Sequence, residues 1–204
     1  INPIIGEYDD PFNQKQGILR LNLSKDGNTI IYGSADSGKE MLLNTILYES
    51  MITHSSNEVQ FYILDYGSEA LKIYKDSPHV GDILFQNEAE KLSRLLTFIK
   101  KEIEHRKKIL VDYNGNYEFY LNSTGKTMPM IVVIINDYAV LLQNYPELEE
   151  TIVSITRDCT KSGIVFLMTC NNTNEVRFRL VQNFNKRIAL QLINKDDYLF
   201  VFSK

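Results

Sequence analysis

The residues Gly33-Ser34-Ala35-Asp36-Ser37-Gly38-Lys39-Glu40 have the types and spacing that suit binding of a polyphosphate. Glycines at both ends let a loop fold tightly, so that successive backbone N–H groups converge on phosphate oxygens. The positive end of a following helix adds to that field. Lys39 would reach the outer phosphates as a point charge. Glu40 departs from the pattern, which places there a Ser or Thr whose hydroxyl ligates Mg²⁺. A carboxylate at that position turns negative charge toward an anionic ligand, and Asp36 adds a second acid inside the loop. The same residues also fit a strand–turn–helix that keeps its glycines for geometry and binds no nucleotide.

A second position of interest closes the apolar run Ile131 to Ile135, which ends in Asn136-Asp137-Tyr138. An acid at the end of such a strand holds Mg²⁺ through water, and the next residue is the usual place for a general base. Asn136 carries no charge. Asp137 stands at the base position as the candidate catalytic residue, with a side chain one methylene shorter than glutamate. Losing the hydroxyl at 40 and the charge at 136 removes both protein ligands to the metal, so no metal site is assigned. Hydrolysis is expected to be absent or very slow. A third position, Asn171 or Asn172 after the run Ile164 to Thr169, has the polarity to sense a γ-phosphate, although Asn pairs also mark plain turns.

These residues need elements to hold them. Thr29 to Gly33 predicts a short buried strand ahead of the loop, and Leu42, Leu43, Ile46, Leu47 and Met51 predict a helix after it. Further strands are expected at Gly17 to Leu23, Val59 to Asp65, Ile131 to Ile135, Ile164 to Thr169 and Ile188 to Ile193. Helical periodicity runs through Leu92, Leu95, Leu96, Ile99, Ile103 and Leu110, again from Leu148 to Cys159, and from Val176 to Phe184. Tyr-, Asn- and Gly-rich Val111 to Met128 reads as a surface loop or insertion, whose Tyr113, Tyr117, Phe119 and Tyr120 offer either a docking surface or a satellite core. Continuous apolar strands alternating with helices predict an α/β fold with a largely parallel sheet.

Length and composition narrow the classes. At 204 residues the chain is a little over the ~150 typical of one domain, and residues 1–204 are expected to form a single one. Hydrophobic content of 44% with 24% charged residues excludes a disordered or fibrous chain. Lys and Arg number 22 against 26 Asp and Glu, a net charge of −4, so no nucleic-acid partner is expected. The basic positions Lys100, Lys101, Arg106, Lys107 and Lys108 have Glu102 and Glu104 interleaved and read as a solvated helix face. Two cysteines make neither a disulfide framework nor a four-ligand zinc site. The chain opens on Ile1 and stops after the apolar run Leu199 to Phe202, which reads as a module of a longer protein.

In this order, GSADSGKE, VQFYILDYG, DSPHVGDI and MPMIVVIINDY resemble the FtsK/SpoIIIE group of motor ATPases, which are P-loop NTPases of the RecA/ASCE type. Within it they are most similar to the second of three tandem ATPase modules in type VII (ESX/WXG100) secretion proteins, the EssC/YukB/EccC type. Gly6 to Pro11, Ser77 to Gly81 and Glu175 to Leu192 carry that part of the likeness. The resemblance implies a three-layer sandwich and a cytoplasmic module of a bacterial membrane protein that meets the membrane only through the full-length chain. It implies neighbouring ATPase modules and WXG100-type export substrates as partners. Loop residues 33–40 and Asn136 would be the nucleotide contacts, with ATP bound weakly or not at all and Mg²⁺ left unassigned. A DNA translocase and a pure protein-interaction module remain alternatives.

Overall fold

The computed structural model describes residues 1–202. The chain opens with an antiparallel hairpin of β1 (Ile4–Asp10) and β2 (Lys15–Arg20), then a short helix α1 (Leu23–Asp26). The phosphate-loop strand β3 (Thr29–Tyr32) leads into α2 (Lys39–Thr53), followed by β4 (Val59–Asp65), β5 (Val80–Leu84) and the long helix α3 (Ala89–Leu110). Next come α4 (Tyr117–Thr124), β6 (Met130–Asn136), α5 (Tyr138–Asn144) and α6 (Glu149–Asp158). The chain continues with β7 (Ile164–Cys170), α7 (Phe178–Val181), β8 (Lys186–Ala189) and α8 (Lys195–Phe202).

The main sheet has the order β5-β4-β6-β7-β3-β8, and every pairing within it is parallel. Strands β3, β6 and β7 are buried along their whole length, as strands apolar on both faces must be. Ile131, Val133 and Ile135 pack with Leu95 and Ile99 of α3 and Ile152 of α6 on one face. Val132 and Ile134 pack with Leu43 and Leu47 of α2 on the other. Alternate residues of one strand thus serve two helical layers, which makes a three-layer sandwich. Strand β7 lies between β3 and β6, so the phosphate loop and the Asn136-Asp137 pair are separated by one strand width. Their carboxyl ends open on the same edge of the sheet, where ligand crevices form in this class of fold.

The segment predicted as a loop over 111–128 contains helix α4. Asn116 caps it by accepting from Phe119 N at 2.8 Å, and Tyr117 and Tyr120 are buried. The Tyr117 hydroxyl donates to Met128 O at 2.7 Å, and its ring lies so close to Gly163 that a Cβ there would fall 2.4 Å away. Tyr113 packs edge-on to Tyr120, with ring centres 5.0 Å apart, and of the four aromatics Phe119 is exposed. The cluster is a satellite of the core.

Other local expectations shift. The helix expected over 176–184 shrinks to the four residues of α7, and the expected strand at 188–193 is centred earlier, in β8. Leu190 N still donates to Tyr32 O at 2.8 Å. Hairpin strand β1, β5, α5 and α8 were not expected, because Gly, Asp or Lys interrupts the apolar pattern of each or the run is short. Arg106 does not belong to the solvated basic face. It is buried, pairs with Glu102 at 2.7 Å and donates to Ser162 O at 3.1 Å. Among the described residues, no helix is long and apolar enough to cross a membrane.

Candidate functional site

The phosphate loop leaves the sheet at Gly33, whose N–H donates to Cys170 O at 3.0 Å, while Ser34 N donates to Gln191 O at 2.8 Å. It turns back through Asp36 (φ 57°) and Gly38 (φ 94°), both in the left-handed region, and α2 begins at Lys39. Glycine takes that conformation without a Cβ penalty, which accounts for Gly38. The opening turn of α2 leaves its first N–H groups without intrahelical partners, pointing the positive end of the helix at the loop.

Asp36, Ser37, Gly38, Lys39 and Glu40 line a cavity of about 550 Å³, together with Met41, Gly67, Ser68, Asn136, Asp137, Thr169 and Asn171. Of the residues expected to bind nucleotide, Gly33, Ser34 and Ala35 form the limb of the loop behind the cavity and do not line it. Lys39 Nζ spans the loop, donating to Gly33 O at 2.6 Å and Ser34 O at 2.8 Å. Burial lowers its ammonium below the ordinary lysine value, against the opposing pull of the Asp137 and Glu175 carboxylates.

Glu40 does not point at the loop. Its Oε1 accepts from Ser68 N at 3.1 Å and Asn136 Nδ2 at 3.0 Å, and its Oε2 accepts from Ser68 Oγ at 2.7 Å. Burial alone would raise this carboxyl. The hydrogen bonds from Ser68 and Asn136, with the Lys39 charge, outweigh burial and leave it below the usual range. Gly67 admits the arrangement because it has no side chain: a Cβ there would lie 2.6 Å from Asn136 Nδ2 and 2.7 Å from Glu40 Oε1.

Asp137 borders the cavity but has φ 64° and serves as N-cap of α5, its Oδ1 accepting from Val140 N at 3.3 Å. Its own N–H donates to Thr169 Oγ1 at 2.8 Å. Asn171 reaches the cavity and Asn172 does not, because the Asn172 side chain caps a turn by accepting from Asn174 N at 3.0 Å. Asp65, Ser68 and Thr169 belong to the site without having been singled out. The signal was present in the polar residues at or next to the last position of the buried strands, at 65, 136 and 169.

Across residues 8–204 the sequence matches the model of the FtsK/SpoIIIE family. The chain belongs to that family. Among its FtsK/SpoIIIE relatives, the ESX secretion system protein YukB of Bacillus subtilis is 26% identical over 96% of this chain. The chain spans 13% of the length of that relative. Of solved structures, EssC (ATPases 2 and 3) from Geobacillus thermodenitrificans is 26% identical with a TM-score of 0.90, covering 99% of this chain and 39% of that one. Thermomonospora curvata EccC (ATPases 2 and 3), solved in complex with a signal sequence peptide, shares the fold at a TM-score of 0.86 and 24% identity, over 94% of this chain and 36% of that one. The strand order around β7 and the loop at Gly33 are thus those of an FtsK-like ATPase fold.

Proposed function

We propose that this chain is a nucleotide-binding module of a type VII secretion protein that hydrolyses ATP very slowly or not at all and regulates or couples the motor. The observation that carries this reading is the engagement of Asp137. The acid at the general-base position is an N-cap for α5, with its backbone tied to Thr169. A positioned base contributes about 10²–10⁴-fold to a rate, so its diversion supports slow turnover. Lys39 and the opening of α2 support retention of an anionic ligand.

The likeness to YukB, EssC and EccC supports a place inside a secretion motor, with adjoining ATPase modules and WXG100-type substrates as partners. The signal peptide bound by the Thermomonospora curvata EccC pair supports a substrate-docking role. The membrane would be met through the longer protein. The family match alone favours a second reading, a DNA translocase, against which the acidic charge balance and the engaged Asp137 stand.

Calorimetric titration of ATP into the wild type and Lys39→Ala, with phosphate release measured in parallel, tests the proposal. Micromolar binding lost in the variant, with no release above buffer, is expected. Wild-type turnover at the rates of working motors would sink it, and so would no binding at millimolar ATP.

A further inference from the structure

An FtsK-like phosphate loop is expected to work beside a Mg²⁺ ion held by the hydroxyl after the loop lysine and the acid ending the buried strand. Here the groups at those two positions bond to each other. Asn136 Nδ2 donates one hydrogen to Glu40 Oε1 at 3.0 Å and the other to Asp65 Oδ1 at 2.9 Å. Asp65 is fully buried, and its second oxygen accepts from Leu71 N at 3.1 Å. The sense of the amide follows from its neighbours. Thr169 Oγ1 already accepts from Asp137 N, which leaves its hydrogen to donate to Asn136 Oδ1 at 2.9 Å. Turned over, Oδ1 would face two carboxylate oxygens.

Mg²⁺ requires oxygen lone pairs arranged octahedrally at about 2.1 Å. The space between Glu40 and Asp65 presents N–H hydrogens instead, and both oxygens of Glu40 are already engaged with Ser68 or Asn136. The donor set does not fit the ion.

We infer that the Asn136 carboxamide replaces the cation, cross-linking Glu40 of α2 to Asp65 of β4, so that the loop takes a polyphosphate as its metal-free anion. Mg²⁺ then competes for the nucleotide in solution and adds nothing at the site. The part concerning the ligand rests on the nucleotide reading above; the part concerning the cation stands apart from it.

The test uses Mn²⁺ as probe, followed by water-proton relaxation and by the thermal unfolding midpoint, alongside ATP titrations in EDTA and in excess Mg²⁺. The wild type should show no micromolar Mn²⁺ site. Asn136→Asp, which brings three carboxylates together, should gain one and acquire an unfolding midpoint that rises with Mn²⁺. Glu40→Thr with Asn136→Asp should gain one too, and serves if repulsion unfolds the single variant. Wild-type ATP affinity should be several-fold tighter in EDTA than in Mg²⁺, with the order reversed in the double variant. Micromolar Mn²⁺ binding by the wild type, Mg²⁺-strengthened ATP binding, or no Mn²⁺ site in folded variants would each overturn the inference. If ATP binds in neither buffer while the Mn²⁺ results hold, the nucleotide reading falls and the replacement of the cation stands.

Discussion

Glu40 shows how one residue changes the character of a shared loop. In place of a hydroxyl beside the phosphates, it turns a carboxylate toward Ser68 and Asn136 and ties the start of α2 to the loop after β4. Its folded-state pKa lies below the ordinary 4.5. As pH falls, the unfolded chain therefore takes up the proton first. The stabilisation is fully present above about pH 4.5 and is lost as pH drops through the lower folded-state value. Between about pH 5 and pH 3, where carboxylates titrate, the unfolding midpoint of the wild type should fall more steeply than that of Glu40→Gln. Parallel curves for the two proteins would deny the carboxylate its role in holding Ser68. Composition cannot reveal such a partner: Ser68 lies 28 positions away and Asn136 lies 96.

At the scale of elements, α3 combines an apolar stripe that the sequence displays openly with a buried cation that it hides. Arg106 sits in a run of basic residues whose other members are solvent-facing, yet it satisfies the carbonyls of Ser162 and Gly163 ahead of β7. Replacing it leaves Glu102 and the Ser162 carbonyl without that donor, while Gly163 O keeps its bond from Ile131 N. Arg106→Met should cost about 3 kcal/mol by urea denaturation, the scale of breaking a buried ion pair. Lys107→Met, one residue away and exposed, should cost less than about 0.5 kcal/mol. Equal losses would return Arg106 to the solvated face. Helix α4 teaches the same lesson in reverse. Its Asn and Gly content resembles a loop, but a capped turn that puts Tyr117 and Tyr120 on one side is enough to fold it onto the core.

For the whole molecule, the parallel sheet gathers the ends of β3, β4, β6 and β7 at one edge, so that residues spread from Asp36 to Asn171 share a single crevice. That crevice contains one lysine among Asp36, Glu40 and Asp137, and the chain as a whole carries a charge of −4. A duplex DNA track would need many phosphate contacts from such a surface. Electrophoretic or fluorescence titration with duplex DNA should show no binding near physiological salt. Binding whose logarithm falls with log salt at a slope of several units would instead count those contacts and favour the translocase reading.

The sequence by itself determined the α/β alternation, the buried strands and the phosphate loop, because apolar runs and glycine spacing are local signals that need no partner to be read. It also marked positions 40 and 136 as departures. Only the tertiary structure decided what those departures became. Parallel strands bring residues far apart in sequence into register, and Asp65 stands directly beside Asn136 because β4 pairs with β6. Hydrogen bonds between strand ends depend on that pairing, and no pattern along the chain specifies it.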